Sequence, residues 1–173
     1  MSEITGLTRT KLNHIEFEKA KELAENLGHI KNSITKGQGN VAGFSGELMV
    51  AKFLGVDLSH TKNYDMIYNG LRVDVKTKRT NYPPKPSYEC SIAKTSLHQD
   101  CVLYVFVRVL PSLNEGWILG YKPQSEYFKE AKFWKKGEID PSNNWKVSVD
   151  CYNLAISKLD PLAKLRSLYC QKK

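Results

Sequence analysis

The segment around Asn69-Gly70 contains two aspartates whose predicted positions bring their charges together. Asn-Gly between alternating apolar and polar residues is the strongest short-range signal for a two-residue β-hairpin turn. Counting outward from this turn places Asp65 directly opposite Asp74, with Cβ atoms about 4.5–5.5 Å apart. Like charges in such a pair destabilise a sheet unless a divalent cation binds both carboxylates or they share a proton. The sequence leaves both solutions open.

The second strand of this hairpin also carries a lysine on its polar face. Residues alternate from Leu71 to Lys78, so Asp74 and Lys76 point the same way, about 7 Å apart along the strand. An ammonium group beside a bound metal can hold or activate an attacking water, or stabilise the charge on a phosphorane. The alternative interpretation is a solvated edge strand that displays charges of both signs.

Glu47 is a third candidate acid, on a helix predicted from Phe44 to Leu54. It falls inside the apolar arc of that helix instead of opposite it. A buried carboxylate is costly unless it is paired or binds a metal. A structural salt bridge or a capping role would also account for Glu47.

These residues together resemble the PD-(D/E)XK nuclease superfamily. The resemblance rests on Gly46-Glu47 on a helix, Asp65 before a hairpin, and Asp74-Val75-Lys76 on the next strand. It extends over residues 40 to 110, and the proline of the superfamily's PD is replaced by Tyr64. The three-part spacing, the hairpin turn and the following apolar strand make the pattern more specific than Asp-x-Lys alone.

The resemblance implies an αβββαβ restriction-endonuclease-like core and an Mg²⁺-dependent phosphodiesterase, for which Mn²⁺ is a substitute. The substrate it implies is DNA, or more rarely RNA. Asp65, Asp74 and the Val75 carbonyl would then be metal ligands. Glu47 would ligate a metal or hold its water shell, and Lys76 would assist the water.

The charge balance favours a polyanionic partner. Lysine and arginine total 26 against 18 acidic residues, which gives a net charge of +8. A basic domain attracts nucleic acid through its phosphates without sequence preference. A solvated basic surface with no partner is the alternative. The side chains that we expect to contact nucleic acid are Lys36, Gln38, Asn40, Lys78, Arg79 and Lys94.

The periodicity of the chain predicts a single α/β domain over residues 1–173, with a mixed central sheet flanked by helices. Extra helices are expected at both ends, at residues 11–30 and after Asp160-Pro161. The run Cys101 to Leu110 is almost continuously apolar and β-branched, which indicates a strand buried on both faces. The remaining predictions are a loop at 33–46, strands at 65–68, 71–78, 88–93, 116–121 and 145–152, a turn or short helix at 94–100, and a short helix at 125–135.

Other features argue against several classes of protein. None of the four cysteines is in CxxC spacing, so we expect reduced thiols and no structural zinc. No apolar run approaches the ~18 residues of a membrane span, and the N-terminus lacks the apolar core of a secretory signal. We therefore expect a cytoplasmic protein without a membrane partner. Whether it forms a homodimer is left open.

Two other functions are compatible with the same residues. A DNA-binding module could keep the nuclease fold without catalysis, and it would bind without metal. A basic assembly subunit would associate with DNA only weakly and with little salt dependence. Endonuclease or exonuclease action, and the sequence or structure preference, cannot be read from these patterns.

Overall fold

The computed structural model of this chain describes residues 6–27, 38–59 and 61–170. Within those ranges it is a mixed α/β fold with four α-helices and three β-sheets. The helices are α1 (His14–Asn26), α2 (Gln38–Leu54), α3 (Gln124–Glu130) and α4 (Leu162–Cys170). The strands are β1 (Thr8–Lys11), β2 (Met66–Tyr68), β3 (Leu71–Arg79), β4 (Glu89–Ala93), β5 (Leu103–Val109), β6 (Glu115–Pro123), β7 (Lys132–Trp134), β8 (Ile139–Asp140), β9 (Trp145–Lys146) and β10 (Cys151–Ala155).

The central sheet has five strands in the order β1-β6-β5-β3-β2. Strands β3 and β5 are parallel and the other neighbours are antiparallel, so the prediction of a mixed sheet with helices is confirmed. The β2–β3 hairpin has the predicted turn, with positive φ angles at Asn69 (48°) and Gly70 (81°), as a type I′ turn requires. Its register pairs Tyr68 with Leu71 and Met66 with Val73, as counted from the sequence.

Strand β5 lies at the centre of the molecule, and all seven of its residues are buried, as its apolar run predicted. Successive side chains of a strand point to opposite faces of the sheet. On one face, Val105 and Val107 join a core cluster with α2 and α4. On the other, Tyr104 and Phe106 join a second cluster with β4, β10 and α3. The central sheet is thus covered on both faces, by helices on one side and mainly by a second sheet on the other.

Strand β4 departs from the αβββαβ order that the resemblance implies. It does not extend the hairpin but pairs with β10, which in turn pairs with β7 in the second sheet. Between β3 and β4 the chain contains Pro83, Pro84 and Pro86, which lack the N–H groups that a further hairpin would need. The parallel β3–β5 crossover therefore runs through β4 and a 3₁₀ turn at Lys94–Ser96.

Several element boundaries also differ from the predictions. The chain enters the central sheet through β1, and α1 begins only after Asn13, whose side chain and Glu16 form a reciprocal capping box. Helix α2 begins at Gln38, so part of the predicted glycine-bearing loop is helical. The strand expected at 145–152 is divided between β9 and β10, and the helix expected at 125–135 ends at Glu130 before β7. No helix among the described ranges is both long and apolar enough to cross a membrane.

Gly46 allows α2 to lie close to β3. A Cβ atom at this position would collide with the Thr77 Oγ1 atom and would also crowd the Thr77 Cβ and Cγ2 atoms. Glycine is therefore needed where the backbone of the helix passes over the strand. Because Glu47 is the next residue, this close approach also sets the distance of Glu47 from β3.

The variant Gly46→Ala is expected to lower the free energy of unfolding by about 1–3 kcal/mol through overpacking. Urea denaturation of the variant and the wild type measures this difference. Gly43→Ala is the matched control, because a Cβ there meets no described atom within 4 Å, and alanine in a helix is favoured over glycine. Thr77→Ala should partly rescue Gly46→Ala, and equal stability of the two glycine variants would contradict the steric argument.

Candidate active site

Asp74 and Lys76 lie on the same face of β3 and form an ion pair. The Lys76 Nζ atom is 2.7 Å from the Asp74 Oδ2 atom, and Asp74 is only 2% exposed. Lys76 Nζ also donates a hydrogen bond of 2.7 Å to Gln99 Oε1 and lies 5.9 Å from the centre of the Tyr104 ring. The Lys76 ammonium thus contacts a carboxylate and an amide oxygen and lies near an aromatic ring. These neighbours fix its orientation.

Asp65 lies immediately before β2, at the point where the hairpin ladder ends. Its N–H donates to the Val73 carbonyl at 2.9 Å, and its Oδ2 atom accepts from the Val75 N–H at 2.6 Å. The prediction that Asp65 lies directly opposite Asp74 in a regular hairpin ladder is therefore wrong. The physical reason is that the Val75 N–H has no further β2 residue to bond, and the Asp65 carboxylate takes that place.

Glu47 is half-buried on α2 and interacts electrostatically with both aspartates. Burial, followed by the negative charges of Asp65 and Asp74, raises the pKa of Glu47 to about 8, although Lys76 opposes this. Burial and the charge of Asp74 raise the pKa of Asp65 to about 7, against the Val75 hydrogen bond and Lys76. The two elements α2 and β2–β3 therefore converge, as the sequence predicted for these acids.

The pKa of Asp74 is also raised, with burial as the largest cause. The charge of Lys76 and hydrogen bonds from Lys76 and Gln99 act in the opposite direction. Three carboxylates thus share a partly dry site with one ammonium, and the fully ionised set would carry a net charge of −2. Perturbed acids of this kind are typical of catalytic and metal-binding sites.

The donors of this cluster have the chemistry that Mg²⁺ prefers, because all are hard oxygen atoms and they carry surplus negative charge. The N–H and C=O of one residue in an extended strand point to the same side. The Val75 carbonyl therefore faces the end of β2 near Asp65, as its N–H does. Among the described residues, no three His, Cys, Asp or Glu side chains are already arranged at metal-ligand spacing. In donor type and charge, the residues fit a divalent cation.

Gln99 belongs to this site, although no sequence pattern pointed to it. It follows the 3₁₀ turn and contacts Lys76, while the adjacent Asp100 is fixed by Arg72. The Arg72 Nη2 atom is 2.9 Å from Asp100 Oδ1, and Arg72 Nε donates to the Asp100 carbonyl at 3.0 Å. Arg72 therefore ties the loop that carries Gln99 to the same face of β3. The only sequence signal for Gln99 was indirect. Arg72 alternates with Asp74 and Lys76, so the side chain that anchors the loop lies on the same face of β3 as theirs.

The residues predicted to contact nucleic acid are distributed over several places. Lys78 and Arg79 are exposed at the end of β3, next to the acidic cluster along the strand. Asn40 is seven residues before Glu47 on α2, which places it on the same helix face.

The other three predicted contacts are less clearly directed at the acids. Lys36 lies outside the described residues, and Gln38 opens α2 with a side chain that is likewise outside them. The Lys94 Nζ atom is 3.9 Å from Asp150 Oδ2 and 5.8 Å from the Phe133 ring. Lys94 is thus engaged beside the second sheet.

Neither models of known protein families nor the curated proteins gave a match to this chain.

The stability of the protein without metal is expected to fall as the pH rises. The folded-state pKa values of about 8 for Glu47 and 7 for Asp65 exceed their ordinary values of 4.5 and 3.8. The folded state therefore holds protons that the unfolded state has already lost, and this stabilisation is lost as the pH rises through about 7–8. Thermal melting between pH 5 and 8 in the presence of a chelator measures the loss.

Glu47→Gln and Asp65→Asn mimic the protonated acids, so each variant should lose less stability than the wild type over this range. Asp57→Asn is the control, because Asp57 is an exposed carboxylate beyond the end of α2. A wild-type slope that neither active-site variant reduces would show that these acids titrate normally.

Proposed function

We propose that this chain is a nuclease that hydrolyses phosphodiester bonds of DNA and depends on Mg²⁺, with Mn²⁺ as a substitute. The observation that carries the proposal is the cluster of Glu47, Asp65 and Asp74 with raised pKa values beside the Asp74–Lys76 ion pair. A scaffold that keeps three carboxylates against their mutual repulsion loses stability by doing so. Function is the best explanation for retaining them.

The fold supports a restriction-endonuclease-like core for this proposal. Helix α2 with Gly46-Glu47 is followed by the β2–β3 hairpin with Asp65 and Asp74, and then by the buried parallel strand β5. This is the order in which the PD-(D/E)XK resemblance distributes its acids and its lysine. The second sheet would then be an addition to that core.

Each residue of the site has a separate task in the proposed reaction. Lys76 is poised to orient the attacking water and to offset negative charge on the phosphate, because its ammonium is fixed by Asp74 and Gln99. Asp65 and Asp74 would supply oxygen ligands to a bound cation, and the Val75 carbonyl would be a further ligand. Glu47, with a pKa of about 8, is suited to accept or hold a proton near neutral pH.

A divalent cation bound at these oxygens would supply Lewis-acid activation of water and neutralise the phosphate charge. Binding would also release the protons that Glu47 and Asp65 hold, so metal affinity should rise with pH.

The charge of the chain supports a nucleic-acid substrate. The net charge is +8, yet the candidate site itself is acidic. Exposed Lys78 follows Lys76 on the same face of β3, where it can contact a phosphate near the site, and exposed Arg79 lies next to it on the opposite face. DNA is the substrate that the resemblance favours, and RNA is the less frequent alternative.

A catalytically inactive nucleic-acid-binding module is the second candidate function. It is favoured by the Lys76 ammonium, which already neutralises Asp74. Such a module would bind DNA equally well in the presence of a chelator. An enzyme would bind or cleave in a metal-dependent way.

We expect the wild-type protein to cleave single- or double-stranded DNA in the presence of Mg²⁺ or Mn²⁺ and to be inactive with chelator. Asp74→Asn and Lys76→Met should each reduce the cleavage rate by about 10²–10³-fold, as loss of one charge-stabilising group does elsewhere. Cleavage of labelled oligonucleotides, read on denaturing gels, measures these rates.

Lys19→Gln is the matched control, since it changes an exposed charge on α1, a helix that carries none of the three acids. This variant should retain the wild-type rate. Cleavage by Asp74→Asn at the wild-type rate would exclude this site, and metal-independent binding without cleavage would favour the inactive module.

A further inference from the structure

A cavity lies beside the candidate active site, between the central sheet and the second sheet. It has a volume of about 270 Å³ and reaches from Lys76 and Lys78 on β3 to Cys90 and Ser91 on β4. A second hollow of about 690 Å³ adjoins it and shares Lys78, Arg108 and Trp145 in its lining. Because they share these residues, the two hollows are adjacent, and together they are named the recess.

Asn153, one of the residues that line this recess, has a buried polar atom without a partner among the described residues. Asn153 on β10 is only 3% exposed, and its Nδ2 atom donates to Glu89 Oε2 at 2.8 Å. This hydrogen bond fixes the orientation of the amide. The Asn153 Oδ1 atom then has no hydrogen-bond partner among the described residues. A buried acceptor without a partner is costly, so the recess is suited to a ligand that brings an N–H donor.

Two cations lie in the same recess. Arg108 is 8% exposed, donates to the Glu89 carbonyl at 3.0 Å and lies 5.1 Å from the Tyr88 ring centre. Lys78 is exposed at the rim, yet its pKa is lowered by desolvation and then by the charge of Arg108. Glu89 also lines the recess, and its carboxylate opposes this lowering of the Lys78 pKa. One acid against two cations leaves the recess with a net positive charge, which a bound anion such as a phosphate would neutralise.

Trp145 completes the recess with an aromatic surface. It lines both volumes and remains 38% exposed although it is one of the largest apolar side chains. Aromatic side chains bind nucleobases by stacking, because every base has a π-face. An acceptor, two cations and an aromatic ring are the groups that one nucleotide needs.

We propose that this recess binds a single unpaired nucleotide of the substrate strand. Lys78 and Arg108 hold its phosphate, Trp145 stacks on its base, and Asn153 Oδ1 accepts from an exocyclic amino group. Adenine, cytosine and guanine have such a group and thymine does not. The inference rests on the proposed nuclease function and narrows its substrate to strands with an unpaired base, because a base inside a duplex cannot enter a pocket.

The first test uses free nucleotides and needs neither cleavage nor a variant. Calorimetric titration of the wild-type protein, in chelator, with the 5′-monophosphates of deoxyadenosine, deoxycytidine, deoxyguanosine and thymidine measures the affinities. The thymidine nucleotide should bind about tenfold more weakly than the tightest of the other three. No binding at millimolar concentration, or equal binding of all four, would overturn the proposal.

Variants then locate the binding in the recess. Trp145→Ala and Lys78→Gln should each weaken nucleotide binding by about tenfold, as loss of a stacking or phosphate contact does. Lys19→Gln is the control, because Lys19 is exposed on α1, an element outside the recess. Unchanged affinity of both recess variants would place the nucleotide elsewhere and overturn the assignment.

The failure of this inference and that of the nuclease proposal have different signatures. Metal-dependent cleavage without selective nucleotide binding would remove the recess from the mechanism and leave the nuclease assignment intact. Selective binding without cleavage by the wild type would contradict the nuclease and retain the recess.

Discussion

Asp74 carries a carboxylate on a central strand, with 2% of the residue exposed, and the Lys76 ammonium at 2.7 Å is its ion-pair partner. Removing a charge from water costs several kcal/mol, and attraction in a buried ion pair offsets that cost only with good geometry and further hydrogen bonds. Here Gln99 supplies one of those bonds to Lys76. The pair therefore depends on β3, which carries both charges, and on the loop that delivers Gln99.

The other two acids destabilise the fold at this site, so a purely structural role does not account for them. Glu47 lies on α2, and Asp65 lies just before β2. The charges of Asp65 and Asp74 raise the pKa of Glu47, and the charge of Asp74 raises the pKa of Asp65. A structural salt bridge would bring equal numbers of opposite charges together. This cluster instead has three acids around one ammonium, which is the imbalance that a cation or a proton-transfer step resolves.

The parts of this arrangement that follow from local rules could be predicted from the sequence. Strand alternation put Asp74 and Lys76 on one face, Asn69-Gly70 gave the correct hairpin register, and the apolar run at β5 predicted its burial. The parts that depend on distant residues could not. Gln99 is 23 residues from Lys76, and its place depends on how Arg72 anchors the loop.

The same distinction explains the errors. The exact position of Asp65 depends on where the β2 ladder stops, and a regular hairpin count has no information about that end. The sequence of β4 has the alternation of a strand, but alternation does not say which sheet the strand joins. Its partner β10 lies about sixty residues further along, so only tertiary packing could decide the pairing.

The placement of β4 in a second sheet has a consequence for the whole face of β3 that carries the charges. Had β4 extended the hairpin, this face of β3 would lack the cover of the second sheet, and the side chains of Lys76 and Lys78 would face solvent. Because β4 and β10 instead cover this face, the same side chains line the wall of a recess together with Arg108 and Asn153. Positive charges that would otherwise be exposed along the strand therefore lie together around one recess. The departure from the expected core is thus the feature that gives this face of the protein a defined shape beside the acids.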